Sequence, residues 1–137
     1  MKPSLNLPTG TITFLFTDVE GSTRLWEDHP EPMRIALARH DDLLRQSIES
    51  GGGYVFKTVG DAFCAAFHTA AEAAEVAQAA QKRLFTEPWP AQTPIRVRMA
   101  INTGAAELRD GDYFGAPLNR VSRLLAAGHG GQILVAS

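Results

Sequence analysis

An α+β fold, with an antiparallel-rich sheet and helices packed on one face, is what this 137-residue sequence predicts. Three observations carry the prediction. Strand-like and helix-like segments are mixed along the chain. Two pairs of strands are joined by connections short enough for hairpins, which are antiparallel. Two of the helical segments, the one opened by Pro30 and the one over 117–127, gather their apolar residues on one face.

The elements follow in order. Residues 11–17 (TITFLFT) read as a strand, rich in β-branched and aromatic residues. A short helix is expected over 21–28. Pro30 and Pro32 then open a longer helix, with Met33, Leu37, Leu44 and Ile48 on one face beside Ala36 and Leu43. Gly51, Gly52 and Gly53 end it. Residues 54–58 and 62–67 read as two short strands, joined tightly through Val59, Gly60 and Asp61. Thr69 and Glu72 make a capping-box pattern before an alanine-rich helix that reaches Phe85. A loop with Pro88, Pro90 and Pro94 leads to a strand over 95–103. Residues 105–109 read as its partner, followed by a turn at Asp110, Gly111 and Asp112. A helix over 117–127 turns Leu118, Val121, Leu124 and Leu125 inward, Gly128 stops it, and 132–136 is a last strand.

Composition narrows the function. Apolar residues make up 45% and charged residues 20%, which suits one soluble globular domain over 11–137 behind a tail over 1–10. The formal charge of −2 gives no support to nucleic-acid binding. Cys64 is the only cysteine, so no disulfide forms within the chain, and a reducing cytoplasm is the expected setting. No apolar run suits a signal peptide or a membrane span. The four histidines lack zinc-site spacing.

Chemistry gathers in three places. Asp18 and Asp61 each stand at the edge of an apolar strand, where a carboxylate is costly unless paired or bound to a cation. Two carboxylates converging on a hard divalent ion would resolve that cost; a helix cap at Asp18 and a turn residue at Asp61 explain each one singly. Gly21, Ser22 and Thr23 precede a helix, so their amides either hold phosphate oxygens or meet an ordinary N-cap. Asn119 and Arg123 lie four apart on a helix, on a face distinct from that of Leu118, Val121 and Leu125. That pair suits a ribose and a phosphate, or a solvated face. Lys57 closes a strand four residues before Asp61 and reads as a surface lysine or a base reader.

Four stretches together resemble the class III nucleotidyl cyclase catalytic domain: FTDVEGST (16–23), KTVGDAF (57–63), RMAINTG (98–104) and GDYFGAPLNRVSRL (111–124). The resemblance covers most of the chain in the family's order, in the style of bacterial members with the cyclase domain at the start of a longer regulatory protein. It implies a ferredoxin-like βαββαβ core with added elements. It implies that Asp18, Asp61 and the backbone carbonyl of Val19 hold two Mg²⁺ or Mn²⁺ ions. The turn of Gly21, Ser22 and Thr23 would take the terminal phosphates and Arg98 the triphosphate. Lys57 and Asp112 would read the purine, Asn119 would orient the ribose, and Arg123 would stabilise the transition state.

The implied activity is an adenylate cyclase making 3′,5′-cyclic AMP and pyrophosphate from ATP. Lysine is donor-only and aspartate acceptor-only. Adenine offers an acceptor at N1 and a donor at N6, whereas guanine presents the reverse, so the pair suits ATP. In the family the site is shared head to tail between two chains, and all the required positions are present here for a homodimer. The chain stops at Ser137, short of the family's last helix and strands. A nucleotide-binding regulatory module without turnover, and a guanylate cyclase, are the alternative readings.

Overall fold

A computed structural model describes residues 6–136. Residues 1–5 of the expected tail, and Ser137, lie outside them. The elements run β1 (Gly10–Val19), α1 (Ser22–Asp28), α2 (Pro30–Ser50), β2 (Tyr54–Val59), β3 (Ala62–Phe67), α3 (Ala70–Thr86), β4 (Val97–Arg109), β5 (Asp112–Phe114), α4 (Ala116–Ala126) and β6 (Ile133–Val135). This is the predicted order. The six-stranded sheet runs β2-β3-β1-β4-β5, antiparallel throughout, and β6 adds to β4 in parallel.

Strand β1 is central, and its sequence shows why. Six consecutive residues, Ile12 to Thr17, are buried, so both faces of the strand are covered. Leu15 and Val19 point to the layer formed by α2 and α3, beside Met33, Leu44, Ile48, Ala77 and Leu84. Ile12, Phe14 and Phe16 point the other way, to Val121 and Leu125 of α4 and to Tyr113. Period-two alternation explains the split. It also corrects the expectation of helices on one face. The α+β, mostly antiparallel class stands, but α4 packs on the face opposite α2 and α3. The alternate apolar residues of β1 need that cover: each fully buried Phe, Leu or Ile is worth about 1.5–3 kcal/mol.

Local signals set most boundaries. Thr69 caps α3, its hydroxyl accepting from the Glu72 amide at 3.1 Å. Pro30 and Pro32 sit in the first turn of α2, as predicted. The second hairpin differs from expectation. Residues 105–109 do not pair with 95–103; they continue one 13-residue strand, β4. The turn is Asp110-Gly111, both at positive φ (52° and 78°), and the partner strand is β5. Gly104 is not a break. A Cβ there would stand 2.6 Å from Cγ of Pro117, so the glycine lets α4 lie against the strand.

Candidate active site

The first group of predicted residues lies where β1, the β2–β3 turn and β4 meet. Asp18 and Arg98 are cross-strand partners in the β1–β4 ladder, so both side chains rise from the face that carries Phe16 and Ala100. Arg98 Nε donates to Asp18 Oδ1 at 2.7 Å, and Nη2 donates to Asp18 Oδ2. The pair is a two-pronged guanidinium–carboxylate contact. The hydrogen bond to Asp18 holds the Arg98 pKa above its ordinary value; burial works against this, and the charges of Asp18, Glu20 and Asp61 support it. Asp61 joins from the turn, its Oδ1 accepting from the Val19 amide at 3.0 Å. Val19 is therefore tied to Asp61 through its N–H.

The second group depends on an irregularity in β2. Val55 pairs with Ala65, but Lys57 pairs with Cys64, so Phe56 is an extra residue in the strand. Regular alternation would have turned Lys57 towards α2 and α3. The bulge puts it on the opposite face, with Cys64. Strand β5 arrives on that same face at the end of the long β4. Lys57 Nζ lies 3.1 Å from Asp112 Oδ2. Asp112 is itself braced: its Oδ1 accepts from the Tyr113 amide at 2.7 Å, and Tyr54 Oη donates to the Gly111 carbonyl at 2.9 Å. Rings of Phe14, Tyr54, Phe56 and Tyr113 pack edge-on beneath. Burial pushes the Cys64 thiol up to about 11, the nearby Lys57 charge lowering it and that of Asp112 raising it. A buried neutral thiol there is packing.

The third group is on α4. Asn119 and Arg123 are exposed, one turn apart, while Val121 and Leu125 are buried. No other described side chain pairs with either. The helix is fixed from below by Asn102, which sequence reasoning missed. It is 3% exposed, and its Nδ2 donates to the Pro117 carbonyl at 3.1 Å. Tyr54 was missed too; an aromatic opening a strand gave no sign that its hydroxyl braces a turn. At the start of α1, Gly21 is the N-cap at φ 68°, and no side chain caps it. The alternative of an ordinary N-cap supplied by a side chain of this turn is thus not what the structure shows. A groove of about 680 Å³ beside α3 and the start of β4, lined by Leu84, Phe85, Trp89 and Ile95, holds none of these residues.

A family profile described as the adenylate and guanylate cyclase catalytic domain matches residues 6–137. The chain belongs to that family. Adenylate cyclase of Podospora anserina is 37% identical to the cyclase domain over 155 residues, covering 95% of this chain and 7% of the relative. An uncharacterised protein of Mycobacterium tuberculosis is 40% identical over 132 residues, covering 95% and 44%. The chain thus spans less than half the length of these relatives. Among solved structures, an adenylate cyclase from Trypanosoma brucei superposes with a TM-score of 0.87 at 29% identity, covering 95% of this chain and 74% of that one.

The donor set of the cyclase domain can be judged against a divalent cation. Among the described residues no three His, Cys, Asp or Glu side chains gather into a metal cage. Asp18 and Asp61 supply oxygen only. That fits a hard ion whose shell is completed by phosphate oxygens and water, the usual way Mg²⁺ is held. It does not fit a self-sufficient protein site. Among the described residues no helix is long and apolar enough to cross a membrane.

Proposed function

We propose that this domain is an adenylate cyclase that converts ATP to 3′,5′-cyclic AMP and pyrophosphate. The observation that carries the reading is the Lys57–Asp112 pair, held 3.1 Å apart on a braced turn. A donor and an acceptor side by side match the N1 acceptor and N6 donor of adenine. The adenylate cyclases among its relatives support the same choice.

The remaining residues take roles that their chemistry suits. Asp18, Asp61 and the Val19 backbone would hold two Mg²⁺ or Mn²⁺ ions. Such ions, when bound, make a 3′-hydroxyl easier to deprotonate and offset phosphate charge. The amides of Gly21, Ser22 and Thr23 would receive the terminal phosphates, helped by the lack of a side-chain cap. Arg98 would engage the triphosphate with its planar fork. Asn119 would hold the ribose so that its 3′-oxygen lies in line with the α-phosphorus. Arg123 would meet charge developing on the α-phosphoryl oxygens, worth about 2–4 kcal/mol. No protein nucleophile is required.

The reading includes a head-to-tail homodimer. Asp18, Asp61 and Arg98 of one copy would face Lys57, Asp112, Asn119 and Arg123 of the other. The exposure of Lys57, Asn119 and Arg123 on one chain supports this, since reacting groups need a dry site and a second copy would cover them. It also includes a cytoplasmic setting, and a fused regulatory region in the whole protein, the second supported by relatives of more than twice the domain's length. The test is a cyclase assay on the purified chain with Mn²⁺, offering ATP and GTP in turn. Cyclic AMP from ATP is expected. Clear ATP binding without product would favour the regulatory-module reading instead, and preference for GTP would favour a guanylate cyclase.

A further inference from the structure

Both oxygens of Asp18 already accept from Arg98. The Arg98 fork covers them, Nε on Oδ1 at 2.7 Å and Nη2 on Oδ2. The two side chains are only 26% and 20% exposed, so water weakens the contact less than at an open surface. Yet Asp18 is one of the two carboxylates assigned to the cation, and Arg98 is the residue assigned to phosphate. One carboxylate cannot serve a guanidinium fork and a divalent ion equally. Two positive charges at that spacing repel, and the fork engages one lone pair on each oxygen from which the ion would bind.

We propose that Arg98 is a clamp on Asp18 that a divalent cation must displace. The inference rests on the cation reading of Asp18 given above. A purely architectural pair is the competing explanation, and the ladder argues against it. Strands β1 and β4 are registered over ten residue pairs, from Gly10–Ala106 to Val19–Val97. Val97, Met99 and Ile101 bury their side chains in the core on the opposite face. The strands are aligned and anchored without the ion pair. What the pair supplies is charge balance, with Arg98 answering Asp18, Glu20 and Asp61 in one place. The clamp has a consequence for binding order. A polyphosphate that accepts the Arg98 fork releases Asp18, so phosphate and cation each raise the affinity for the other by the same factor.

The experiment titrates Mn²⁺ alone into protein stripped with a chelator, and follows the free-ion signal by electron paramagnetic resonance. Wild type is compared with Arg98→Gln, Arg98→Lys and Asp18→Asn, and with Asp18→Asn in the Arg98→Gln background. Losing two charge-assisted hydrogen bonds should let Arg98→Gln bind Mn²⁺ about tenfold or more tighter than wild type. Arg98→Lys keeps the charge but loses the fork, and should also bind more tightly, by a smaller factor. Asp18→Asn should remove the gain. Far-ultraviolet circular dichroism confirms that each variant is folded, and the lysine variant carries the test if the glutamine variant is not. Arg98→Lys binding like wild type would overturn the clamp, because any gain in Arg98→Gln would then be charge alone. Binding that ignores Asp18 in every background would overturn the cation reading as well, which separates the two failures.

Discussion

Replacing Gly104 with alanine should loosen α4 and slow the reaction. The added Cβ would meet Pro117 Cγ at 2.6 Å and Pro117 Cβ at 3.3 Å. Carbon atoms settle at about 3.5–4.0 Å, so the neighbour has to retreat by about 1 Å. A proline ring cannot swing aside, and the Pro117 carbonyl is held by the buried Asn102 amide at 3.1 Å. The start of α4 must therefore move. Overpacking of this kind costs about 1–3 kcal/mol. A stiffer unfolded chain returns about 0.4–1 kcal/mol. The net loss should be about 1–2 kcal/mol in urea unfolding, with the thermal midpoint falling by roughly 3–5 °C per kcal/mol. Asn119 and Arg123 ride on the same helix, and a misplacement of about 1 Å can cost about a hundredfold in rate. We expect kcat to fall at least about tenfold, while Mn²⁺ binding at Asp18 and Asp61, on β1 and the β2–β3 turn, is unchanged. Wild-type stability together with wild-type kcat in Gly104→Ala would refute the close-approach argument.

Further outcomes are expected elsewhere. Lys57→Glu combined with Asp112→Cys should lower kcat/KM for ATP by about tenfold or more, because the base-edge polarity is lost. Stability should change by no more than about 1 kcal/mol, since the pair is partly exposed at 45% and 28%; an unchanged preference for ATP over GTP would refute the base-reader role. Cys64 should give a pH signature. Its folded pKa, about 11 against an ordinary 9.0, means that the unfolded chain loses the proton first as pH rises. Its contribution is therefore intact below about pH 9 and falls as pH climbs from there towards 11. Cys64→Ala should flatten that part of the stability profile, and identical slopes in the two proteins would contradict the assignment. Thr69→Ala should cost about 1 kcal/mol through loss of the α3 cap, read by urea unfolding.

The order of elements was legible because each one is punctuated by its own residues. Pro30 and Pro32 open α2, Gly51 to Gly53 close it, and Thr69 caps α3. What escaped was fixed by contacts between distant segments. Gly104 among small residues reads as a break, yet it is where Pro117 approaches a continuous strand. Helices were expected on one face of the sheet, and nothing local said that α4 would cover the other. The site divides the same way. Asp18, Asp61, Lys57, Asn119 and Arg123 were each named from their neighbours in sequence, whereas Asp112 read only as a turn residue until the family resemblance gave it a role. The bulge at Phe56 that turns Lys57 towards Asp112, and the cross-strand pairing that gives Asp18 to Arg98, are properties of register, which a single sequence does not display.

The central claim is a site assembled from two copies of this chain, and complementation tests it most directly. Asp18→Ala removes one half of the proposed site and Arg123→Ala the other. Each purified variant should be inactive with ATP and Mn²⁺. Mixed in equal amounts, they should regain cyclic AMP synthesis, because a mixed dimer keeps one intact site. A mixture that stays inactive, beside active wild-type protein, would contradict the shared site.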